Sequence, residues 1–295
     1  MMKSTDRIIG KNLPAQSQRY PKGCGCLAVV GLLILLYYGS YFALKEQSAA
    51  APQLIAHRGA HKGQSGNLPE NTLASFQRAV ELDADWLELD VQMSQDGQLV
   101  VIHDETVDRT TNGSGRVADL TLAELRALDA GNGEQIPTFK EVIELAKASG
   151  IPMMPEAKSP QLYPGLEAKM VEEIMAADYA DQTVIQSFDA AALERIRALN
   201  PNISICALHG IGEFRLGDPQ PAEADIVAPM AEMVILYPWM VRQAHQAGRQ
   251  VYVWFGVIEQ PLVIRLLLAL GADGLMVDDL ATLAEISGRA QGKAN

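Results

Sequence analysis

The stretch WLELDVQMSQDGQLVVIHD, residues 86–104, decides the fold class of this chain. It contains two runs of apolar and β-branched residues, Trp86–Val91 and Leu99–His103, separated by a short polar segment that ends in Asp96-Gly97. Asp-Gly is a preferred hairpin turn, and the segment is too short for the crossover that joins parallel strands. We therefore predict that the second run is the antiparallel hairpin partner of the first.

Outside this hairpin, short apolar runs alternate with stretches of helical periodicity, which is typical of a parallel sheet covered by helices. The helical pattern is clear in Asn71–Leu82, with Asn71 as the predicted N-cap, and in Leu120–Leu128 and Thr138–Ala148. The candidate parallel strands are Gln53–His57, Trp86–Val91, Pro152–Glu156, Thr183–Ser187, Ser204–Leu208, Ile226–Ala228, Val251–Phe255 and Gly274–Val277. Eight parallel strands close a barrel, so we predict a TIM-type (β/α)8 barrel over residues 54–288, with the hairpin and a small insertion after its second strand.

Before the barrel, residues 24–44 form an uncharged and mostly apolar run that is long enough to cross a bilayer as one helix. The positive-inside rule compares the charges on its two sides. Only Lys45 and Glu46 follow the run directly, whereas the basic residues before it are Lys3, Arg7, Lys11, Arg19 and Lys22. We therefore predict a cytoplasmic tail (1–23), a transmembrane helix (24–44) and a tether (45–53) that anchors the barrel to the cell membrane, outside the cytoplasm in the periplasm or beyond the cell.

Two other interpretations of the apolar run stay open. It could be a buried core helix, or the core of a cleaved signal peptide, because Ala49-Ala50-Ala51 suits a signal peptidase. Signal-peptide cores usually have about 7–15 residues, so the longer run favours an uncleaved, single-pass anchor. Residues 289–295 are predicted to be a tail.

The charge of the chain argues against a nucleic-acid partner. The full sequence has a net charge of −12. Six of its 24 lysines and arginines, but only one of its 36 acids, lie in residues 1–45, so the remainder carries about −17. Such a surface repels a polyanion. Cys206 is the one cysteine beyond this segment, which excludes a disulfide framework there and predicts a small buried apolar side chain.

Functional side chains of such a barrel gather where its strands end. Glu88 and Asp90 are two apart on one strand and therefore share a face. With Glu156, at the end of the next barrel strand, they offer only oxygen ligands, which suit Mg²⁺ or Ca²⁺ better than zinc. The alternative is that Glu88 and Asp90 only form ion pairs with Arg58 and Lys158.

Two histidines, His57 and His103, also end strands at the predicted mouth. Imidazole titrates near neutral pH, so this pair is predicted to give and take protons, with pKa values that their environments split. Arg58 and Lys158 beside the acids would provide the fixed positive charge that a phosphate needs. The remaining histidines, predicted to be ordinary core or surface residues, are His61, His209 and His245.

A series of motifs in this chain resembles the glycerophosphodiester phosphodiesterase family. The motifs are His57-Arg58-Gly59, Pro69-Glu70-Asn71-Thr72, Glu88-Leu89-Asp90-Val91, Asp96-Gly97, His103-Asp104, Arg109-Thr110-Thr111, Glu156-Ala157-Lys158 and Ser187-Phe188. Each motif is weak by itself, but eight in this order at compatible spacings are a specific signal.

The resemblance implies a phospholipase C-like barrel that hydrolyses a glycerophosphodiester to glycerol 3-phosphate and an alcohol with a divalent metal ion. It implies His57 and His103 as the acid and base. The implied metal ligands are Glu88, Asp90 and Glu156, and the implied substrate-binding residues are Arg58, Lys158, Glu70, Phe188 and Trp254.

The chain departs from the family pattern near its C-terminal end. The usual Trp-Thr-Val-Asn is here Trp254-Phe255-Gly256-Val257, and the usual Thr-Asp-x-Pro is here Val277-Asp278-Asp279-Leu280. These changes leave the choice of substrate open. A lysophospholipase D that acts on membrane lysolipids is an alternative, for which an apolar ramp near Met230–Trp239 is a candidate, although ordinary barrel packing explains the same run. A catalytically inactive barrel that serves as a binding or scaffold protein is the alternative from another class.

Overall fold

The computed structural model describes residues 24–44, 51–63, 66–211 and 224–289. Contacts divide the chain into two compact units, Met1–Leu44 and Lys45–Asn295. The predicted cytoplasmic tail, most of the predicted tether and all but the first residue of the predicted C-terminal tail lie outside the described residues.

The described part of the first unit is a helix, α1, which spans Cys24–Leu44, the bounds that the uncharged run predicts. Among the residues that the structure describes, no helix is long and apolar enough to cross a membrane. The side chains of four residues near the start of α1 lie outside the described part. The predicted transmembrane helix is therefore not supported by the structure.

The second unit is a closed barrel, as predicted. Its strands are β1 Gln53–Ala56, β2 Trp86–Met93, β3 Leu99–Val101, β4 Met153–Ala157, β5 Val184–Ser187, β6 Ser204–His209, β7 Ile226–Pro229, β8 Gln250–Trp254 and β9 Gly274–Val277. All neighbours pair in parallel except β2 and β3, and β1 pairs with both β9 and β2, which closes the ring of eight parallel strands.

The predicted hairpin is confirmed. Strand β2 pairs in parallel with β1 and β4 from Trp86 to Val91, and its end, Val91–Met93, pairs in antiparallel with β3. The hairpin thus extends beyond the mouth of the barrel, at the carboxyl ends of the parallel strands. The insertion that follows builds a small apolar core of its own, formed by Val100, Ile102, Val107, Val117, Leu125, Ala130 and Ile136.

Helices join the strands in the alternation that the sequence predicts. They are α2 Leu73–Glu81, α3 Leu122–Arg126, α4 Phe139–Ser149, α5 Leu166–Ala176, α6 Ala190–Leu199, α7 Ala231–Leu236, α8 Trp239–Gln246, α9 Pro261–Leu270 and α10 Leu280–Ile286. Helix α3 is shorter than the predicted Leu120–Leu128, because its N-cap, Thr121, forms a capping box with Glu124 and so fixes the start of the helix.

The predicted N-cap of α2 was wrong. Thr72 caps this helix: its side chain accepts a hydrogen bond from Ser75 N, and Ser75 completes the capping box. Asn71 instead adopts a left-handed backbone, with φ of 56°, and points its side chain at Asp90. Local sequence could not separate these neighbours, because both asparagine and threonine are good N-cap residues.

The core inside the barrel is made of every second residue along the strands. It consists of Ile55, Met154, Val184, Cys206, Leu208, Ile226, Ala228, Tyr252 and Met276. Cys206 is fully buried, as predicted, and its thiol is free. Because side chains of a strand alternate in direction, the residues two positions further along these strands continue the same inward face at the barrel mouth.

Candidate active site

Strand alternation brings the predicted site residues to the mouth of the barrel. His57 lies two residues beyond Ile55 of the barrel core, and Glu156 lies two residues beyond Met154. Glu88 and Asp90 follow Trp86, which packs against the same core. The site is therefore the polar layer that lies directly above the apolar filling of the barrel.

Glu88, Asp90 and Glu156 form a tight cluster of acids. One carboxylate oxygen from each lies within 4.8 Å of the others, and all three side chains are buried. Strand register explains this, because Asp90 stands directly beside Glu156 in the pairing of β2 with β4. Among the described residues, this is the group of acids and histidines whose geometry could hold a metal ion.

Burial makes full ionisation of this cluster unfavourable. Burial, and then the charge of Asp90, raise the pKa of Glu88 to about 7. Burial likewise raises the pKa of Glu156 to about 8, with Asp90 and Glu88 as further causes. The pKa of Asp90 is held well below its usual range against the effect of burial, by the charges of Lys158 and Arg58. A positive ion among these oxygens would remove the conflict between burial and charge.

The alternative in which the acids only form ion pairs accounts for part of the cluster. Lys158 Nζ lies 3.3 Å from Glu156 Oε1 and 3.8 Å from Asp90 Oδ1, and Arg58 Nε lies 3.3 Å from Asp90 Oδ2. Glu88 has no such partner in the described structure: it accepts hydrogen bonds from the Arg58 backbone N–H, at 2.9 Å, and from Gln186 Nε2, at 2.7 Å. Its charge therefore still lacks a cation in direct contact.

Backbone geometry aims Arg58 into this site. Arg58 adopts a positive φ of 54°, which is rare for a residue other than glycine, and Gly59 follows with φ of 80°. A Cβ at Gly59 would lie 2.3 Å from Ser75 Oγ, so the close packing of this turn on α2 requires glycine. The turn lets Arg58 present its backbone N–H to Glu88 and its guanidinium to Asp90 and Glu70.

His57 is held by an aspartate that the sequence analysis did not assign. Its Nδ1 lies 2.7 Å from Asp278 Oδ1, and its backbone N–H donates to Val277 O. Burial alone would lower the pKa of His57, but the hydrogen bond to Asp278 and the charge of Glu88 raise it above its ordinary value. His61, predicted to be structural, lies beside this pair, with its Nδ1 3.1 Å from the His57 carbonyl oxygen.

His103 has the same type of partner on the other side of the mouth. Its Nδ1 lies 2.6 Å from Asp104 Oδ1. Gln92 fixes the backbone here, because its amide N–H donates to the carbonyls of Ile102, His103 and Asp104 while Tyr163 donates to its oxygen. Burial, together with the charges of Lys158 and Arg58, lowers the pKa of His103 below its ordinary value. The two histidines therefore have pKa values shifted in opposite directions.

A chain of ion pairs joins the two sides of the site. Arg109 contacts both oxygens of Asp104, at 2.6 and 3.0 Å, and both oxygens of Glu70, at 2.8 and 2.9 Å. Glu70 in turn accepts a hydrogen bond of 2.9 Å from Arg58. The hydrogen bonds from Arg109 and the charge of Arg58 overcome burial and lower the pKa of Glu70 to about 2. Glu70 therefore contacts two arginines and is ionised at neutral pH.

Phe188 and Trp254 form an aromatic wall at the mouth, beyond β5 and at the end of β8. Their rings meet edge to face, with centroids 5.6 Å apart, and Trp254 Nε1 donates to the His209 carbonyl oxygen. Gly256 has a packing role here, because a Cβ at this position would lie 2.0 Å from Met230 Cε. The departure from the family pattern at this glycine therefore makes room for the Met230 side chain.

Sequence reasoning missed residues whose roles depend on contacts between distant parts of the chain. Asp278 lies 221 positions from His57, and Gln186 lies 98 positions from Glu88. Asn71 was assigned to a helix cap, but its amide donates to Asp90 at 2.8 Å. For Asp278 a signal existed, because it follows a predicted strand at the end where functional residues gather.

Comparisons with known proteins agree with this geometry. The family model described as "Glycerophosphoryl diester phosphodiesterase family" matches residues 61–282. A glycerophosphodiester phosphodiesterase from Caldanaerobacter subterraneus subsp. tengcongensis is 39% identical over 239 residues, which cover 77% of this chain and 96% of that protein.

Solved structures are similar over most of the chain. An Oleispira antarctica phosphodiesterase, solved in complex with the product sn-glycerol 3-phosphate, matches with a TM-score of 0.70 and 29% identity over 80% of this chain and 96% of that one. A glycerophosphodiester phosphodiesterase from Agrobacterium tumefaciens matches with a TM-score of 0.64 and 25% identity over 79% of this chain and 99% of that one.

Proposed function

Because this chain belongs to the glycerophosphoryl diester phosphodiesterase family, whose members are phosphoric diester hydrolases, we propose that it hydrolyses glycerophosphodiesters to glycerol 3-phosphate and an alcohol with the help of a divalent metal ion. The observation that carries the proposal is the buried cluster of Glu88, Asp90 and Glu156, with His57 and His103 on either side of it and each held by its own aspartate. The similar Oleispira antarctica enzyme supports glycerol 3-phosphate as the product.

The acid cluster has the chemistry that a hard divalent cation needs. It offers only carboxylate oxygens at mutual distances below 4.8 Å, and the raised pKa values of Glu88 and Glu156 mark a shortage of positive charge. We assign Glu88, Asp90 and Glu156 as the ligands of Mg²⁺ or Ca²⁺. Such an ion, when bound, would polarise the phosphoryl oxygens and offset negative charge that develops in the transition state.

Hydrolysis requires a proton to be given on one side of phosphorus and taken on the other, and the two histidines are suited to these tasks. His103, with its lowered pKa, starts neutral and accepts the proton of the attacking water through Nε2, since Nδ1 faces Asp104. His57, with its raised pKa, starts protonated and donates its proton from Nε2 to the leaving alkoxide oxygen as the P–O bond breaks.

Fixed cations and the aromatic wall position the substrate in this proposal. The side chains of Arg58 and Lys158 are each less than one-fifth exposed, so their charges act on a phosphate through little intervening water. Glu70 holds the Arg58 guanidinium in place. Phe188 and Trp254 offer an apolar surface to the carbon skeleton of the substrate.

The products of one reaction test this function. The full chain, loaded with Mg²⁺ or Ca²⁺, should convert glycerophosphocholine to equal amounts of glycerol 3-phosphate and choline. Release of glycerol and phosphocholine would contradict the proposed bond cleavage. If the folded, metal-loaded protein binds glycerophosphocholine and releases no product, the inactive scaffold would be the better description.

We predict that Asp278→Asn moves the alkaline limb of the pH profile to lower pH. Asp278 stabilises the protonated form of His57, so its loss lowers the pKa of His57, and activity that needs the protonated form is lost at a lower pH. The value of kcat should fall by about tenfold or more, because the ring also loses its orientation. A profile of kcat/KM against pH measures both effects.

A matched control exists for this variant. Asp273→Asn removes the carboxylate that lies 2.8 Å from His245 Nε2, at a site that the proposed chemistry does not use. This control should keep the wild-type alkaline limb. The assignment of His57 as the acid would be wrong if Asp278→Asn also kept it.

We predict that Arg109→Met moves the acid limb in the opposite direction, to higher pH. Without the cation beside it, Asp104 stabilises the protonated form of His103 more strongly, so the pKa of His103 rises and the neutral form appears only at higher pH. Arg195→Met, which breaks an ion pair with Glu167 elsewhere, is the matched control and should leave the limb in place. An unshifted acid limb in Arg109→Met would show that Asp104 does not act on His103.

The location of the barrel outside the cytoplasm stays a prediction, supported by the basic residues that precede Cys24. A reporter that is active only outside the cytoplasm, fused after Asn295, should be active in cells. Activity of a cytoplasm-only reporter at the same position would contradict the predicted orientation.

A further inference from the structure

The loop between β8 and α9, residues 255–260, carries one carboxylate that the proposed chemistry does not use. This carboxylate belongs to Glu259. Its side chain is half-buried, although both of its neighbours, Ile258 and Gln260, are exposed. Burial of the one charged side chain in a mostly exposed loop indicates that specific contacts hold it in place.

The Glu259 carboxylate binds the turn that follows β9. Its Oε1 accepts hydrogen bonds from the backbone N–H of Asp278, at 3.1 Å, and of Asp279, at 3.0 Å, and its Oε2 accepts from Asp278 at 2.9 Å. Hydrogen bonds to an ionised acceptor are about twice as strong as those between neutral groups. No ion pair with Glu259 is found among the described residues, so these two N–H groups are the contacts that hold it there.

The turn after β9 is short, and it carries the partner of His57. It consists of Asp278 and Asp279, because β9 ends directly before them and α10 begins directly after them. The Asp278 side chain contacts His57 Nδ1, and the Asp278 carbonyl oxygen accepts a hydrogen bond from the Lys62 backbone N–H at 3.1 Å. The Asp278 N–H is bound by Glu259. The position of the Asp278 carboxylate therefore depends on contacts with two other loops, and Glu259 provides one of them.

The sequence of this turn lacks two local constraints. Where the family pattern has threonine and proline, this chain has Val277 and Leu280. A proline at position 280, the first residue of α10, would fix its own φ, and threonine hydroxyls form hydrogen bonds within turns. Neither group is present, so the turn is held from outside by Glu259.

Placement of Glu259 beside this turn is unfavourable in itself. Burial raises the pKa of Glu259 above its ordinary value, while the hydrogen bonds from the two backbone N–H groups act in the opposite direction. The charge of Asp278 adds to the rise. A carboxylate that served only solubility would face water, so this placement favours a role in holding the turn.

We infer that Glu259 is a positioning residue for His57, because it fixes the turn from which Asp278 orients the imidazole ring. The inference rests on the proposed function, to which it adds a residue that acts without contacting the substrate. Glu259 holds two backbone N–H groups of the turn, and the Asp278 carboxylate on that turn holds His57 Nδ1. In the proposed reaction this leaves Nε2 directed at the leaving oxygen.

A double-mutant cycle with Asp278 tests the inference on the full-length, Mg²⁺-loaded protein. Glu259→Ala should lower kcat for glycerophosphocholine by about fivefold or more and change KM by less than about twofold, because orientation of the acid matters at the chemical step. In an Asp278→Ala background, the same change should lower kcat by less than about twofold, since the contact through which Glu259 acts is already lost.

A second readout does not depend on activity. A proton held between His57 Nδ1 and Asp278 is protected from exchange with solvent and gives its own NMR resonance. This resonance, assigned by its loss in His57→Ala and in Asp278→Ala, should weaken or vanish in Glu259→Ala.

Asp225→Ala is the matched control. Its carboxylate also binds a backbone N–H, that of Ile205 at 2.9 Å, but at the start of β6, at the opposite end of the barrel. This variant should keep the wild-type kcat and the His57 resonance. If Glu259→Ala does not fold, the cycle is run with Glu259→Gln, which keeps one acceptor oxygen.

The inference is overturned if loss of Glu259 lowers kcat by the same factor with and without Asp278, or if kcat and the resonance are both unchanged. A wild type that releases no product from glycerophosphocholine would overturn the proposed function instead. The resonance alone then decides the inference: its loss in Glu259→Ala supports the positioning role, and its persistence overturns it.

Discussion

Replacing His57 or His103 by alanine should lower kcat by about 10²–10⁴-fold, the range expected when a general acid or base is removed. Water is a weak nucleophile and the leaving alkoxide is a strong base, so both proton transfers must be assisted. Neither histidine is part of the barrel core, since both lie at the mouth and contact an aspartate through Nδ1. The alanine variants should therefore fold, bind the metal and fail at the chemical step.

The two variants should also lose different limbs of the pH profile. Without His103 the acid limb disappears, and without His57 the alkaline limb disappears, because each limb reports one of the two pKa values. His245→Ala, which removes a histidine from α8, is the control and should keep both limbs. A folded, metal-loaded variant that stays within about threefold of the wild-type kcat would remove that histidine from the mechanism, because the loss is below about 1 kcal/mol.

Replacing Glu88 by glutamine should have opposite effects on activity and on stability. Metal affinity should fall by about tenfold or more and activity with it, because a charged oxygen ligand is lost. In the metal-free protein, however, the change removes one of three buried like charges. The amide of the variant also loses a hydrogen bond, because it can accept from only one of the two N–H donors that contact Glu88. That loss is the same at about pH 5 and at about pH 8, so across the raised pKa of Glu88 the melting temperature of the variant should rise relative to that of the metal-free wild type.

A second buried carboxylate provides the comparison. Glu167 accepts hydrogen bonds of 3.0 and 2.6 Å from Arg195, so Glu167→Gln weakens an ion pair and should lower the melting temperature while metal binding is unchanged. Thermal melts in chelator and a metal titration would show both results. A difference in melting temperature between metal-free Glu88→Gln and wild type that stays the same from about pH 5 to about pH 8 would contradict the view that burial and the neighbouring acid oppose the charge of Glu88.

The barrel could be predicted from sequence because its signals are local. The Asp96-Gly97 turn determined the hairpin between β2 and β3, and the alternation of short runs with helical segments predicted the remaining strands. Their position at or near strand ends also predicted that His57, Glu88, Asp90 and Glu156 lie in one site at the mouth of the barrel. These inferences need only two facts: side chains alternate between the two faces of a strand, and the carboxyl ends of parallel strands lie at the same end of a barrel.

The partners of the site residues could not be predicted in the same way. Asp278 and His57 meet because β1 and β9 are neighbours in the closed ring, a fact of tertiary structure that no local pattern contains. Arg109 belongs to one of the motifs that resemble the family, Arg109-Thr110-Thr111. Its contacts with Glu70 and Asp104, however, depend on the fold of the insertion after β3. The role of Asn71 was mispredicted for another reason: Asn71 and Thr72 are both suitable N-cap residues, and Thr72 is the one that caps α2.

The apolar run before the barrel led to two predictions, a helix and a membrane span. Lack of charge predicted a helix over residues 24–44, and α1 has these bounds. The membrane span that the same run suggested is not supported within the described residues.

Metal dependence of diester hydrolysis is the central claim, and a titration tests it most directly. The full chain is stripped of metal with a chelator and then titrated with Mg²⁺ or Ca²⁺ while glycerol 3-phosphate release from glycerophosphocholine is measured. Activity should be absent in chelator, return in proportion to one bound ion per protein, and fail to return in Glu156→Gln. Full activity in excess chelator, or full restoration by metal in Glu156→Gln, would contradict the account.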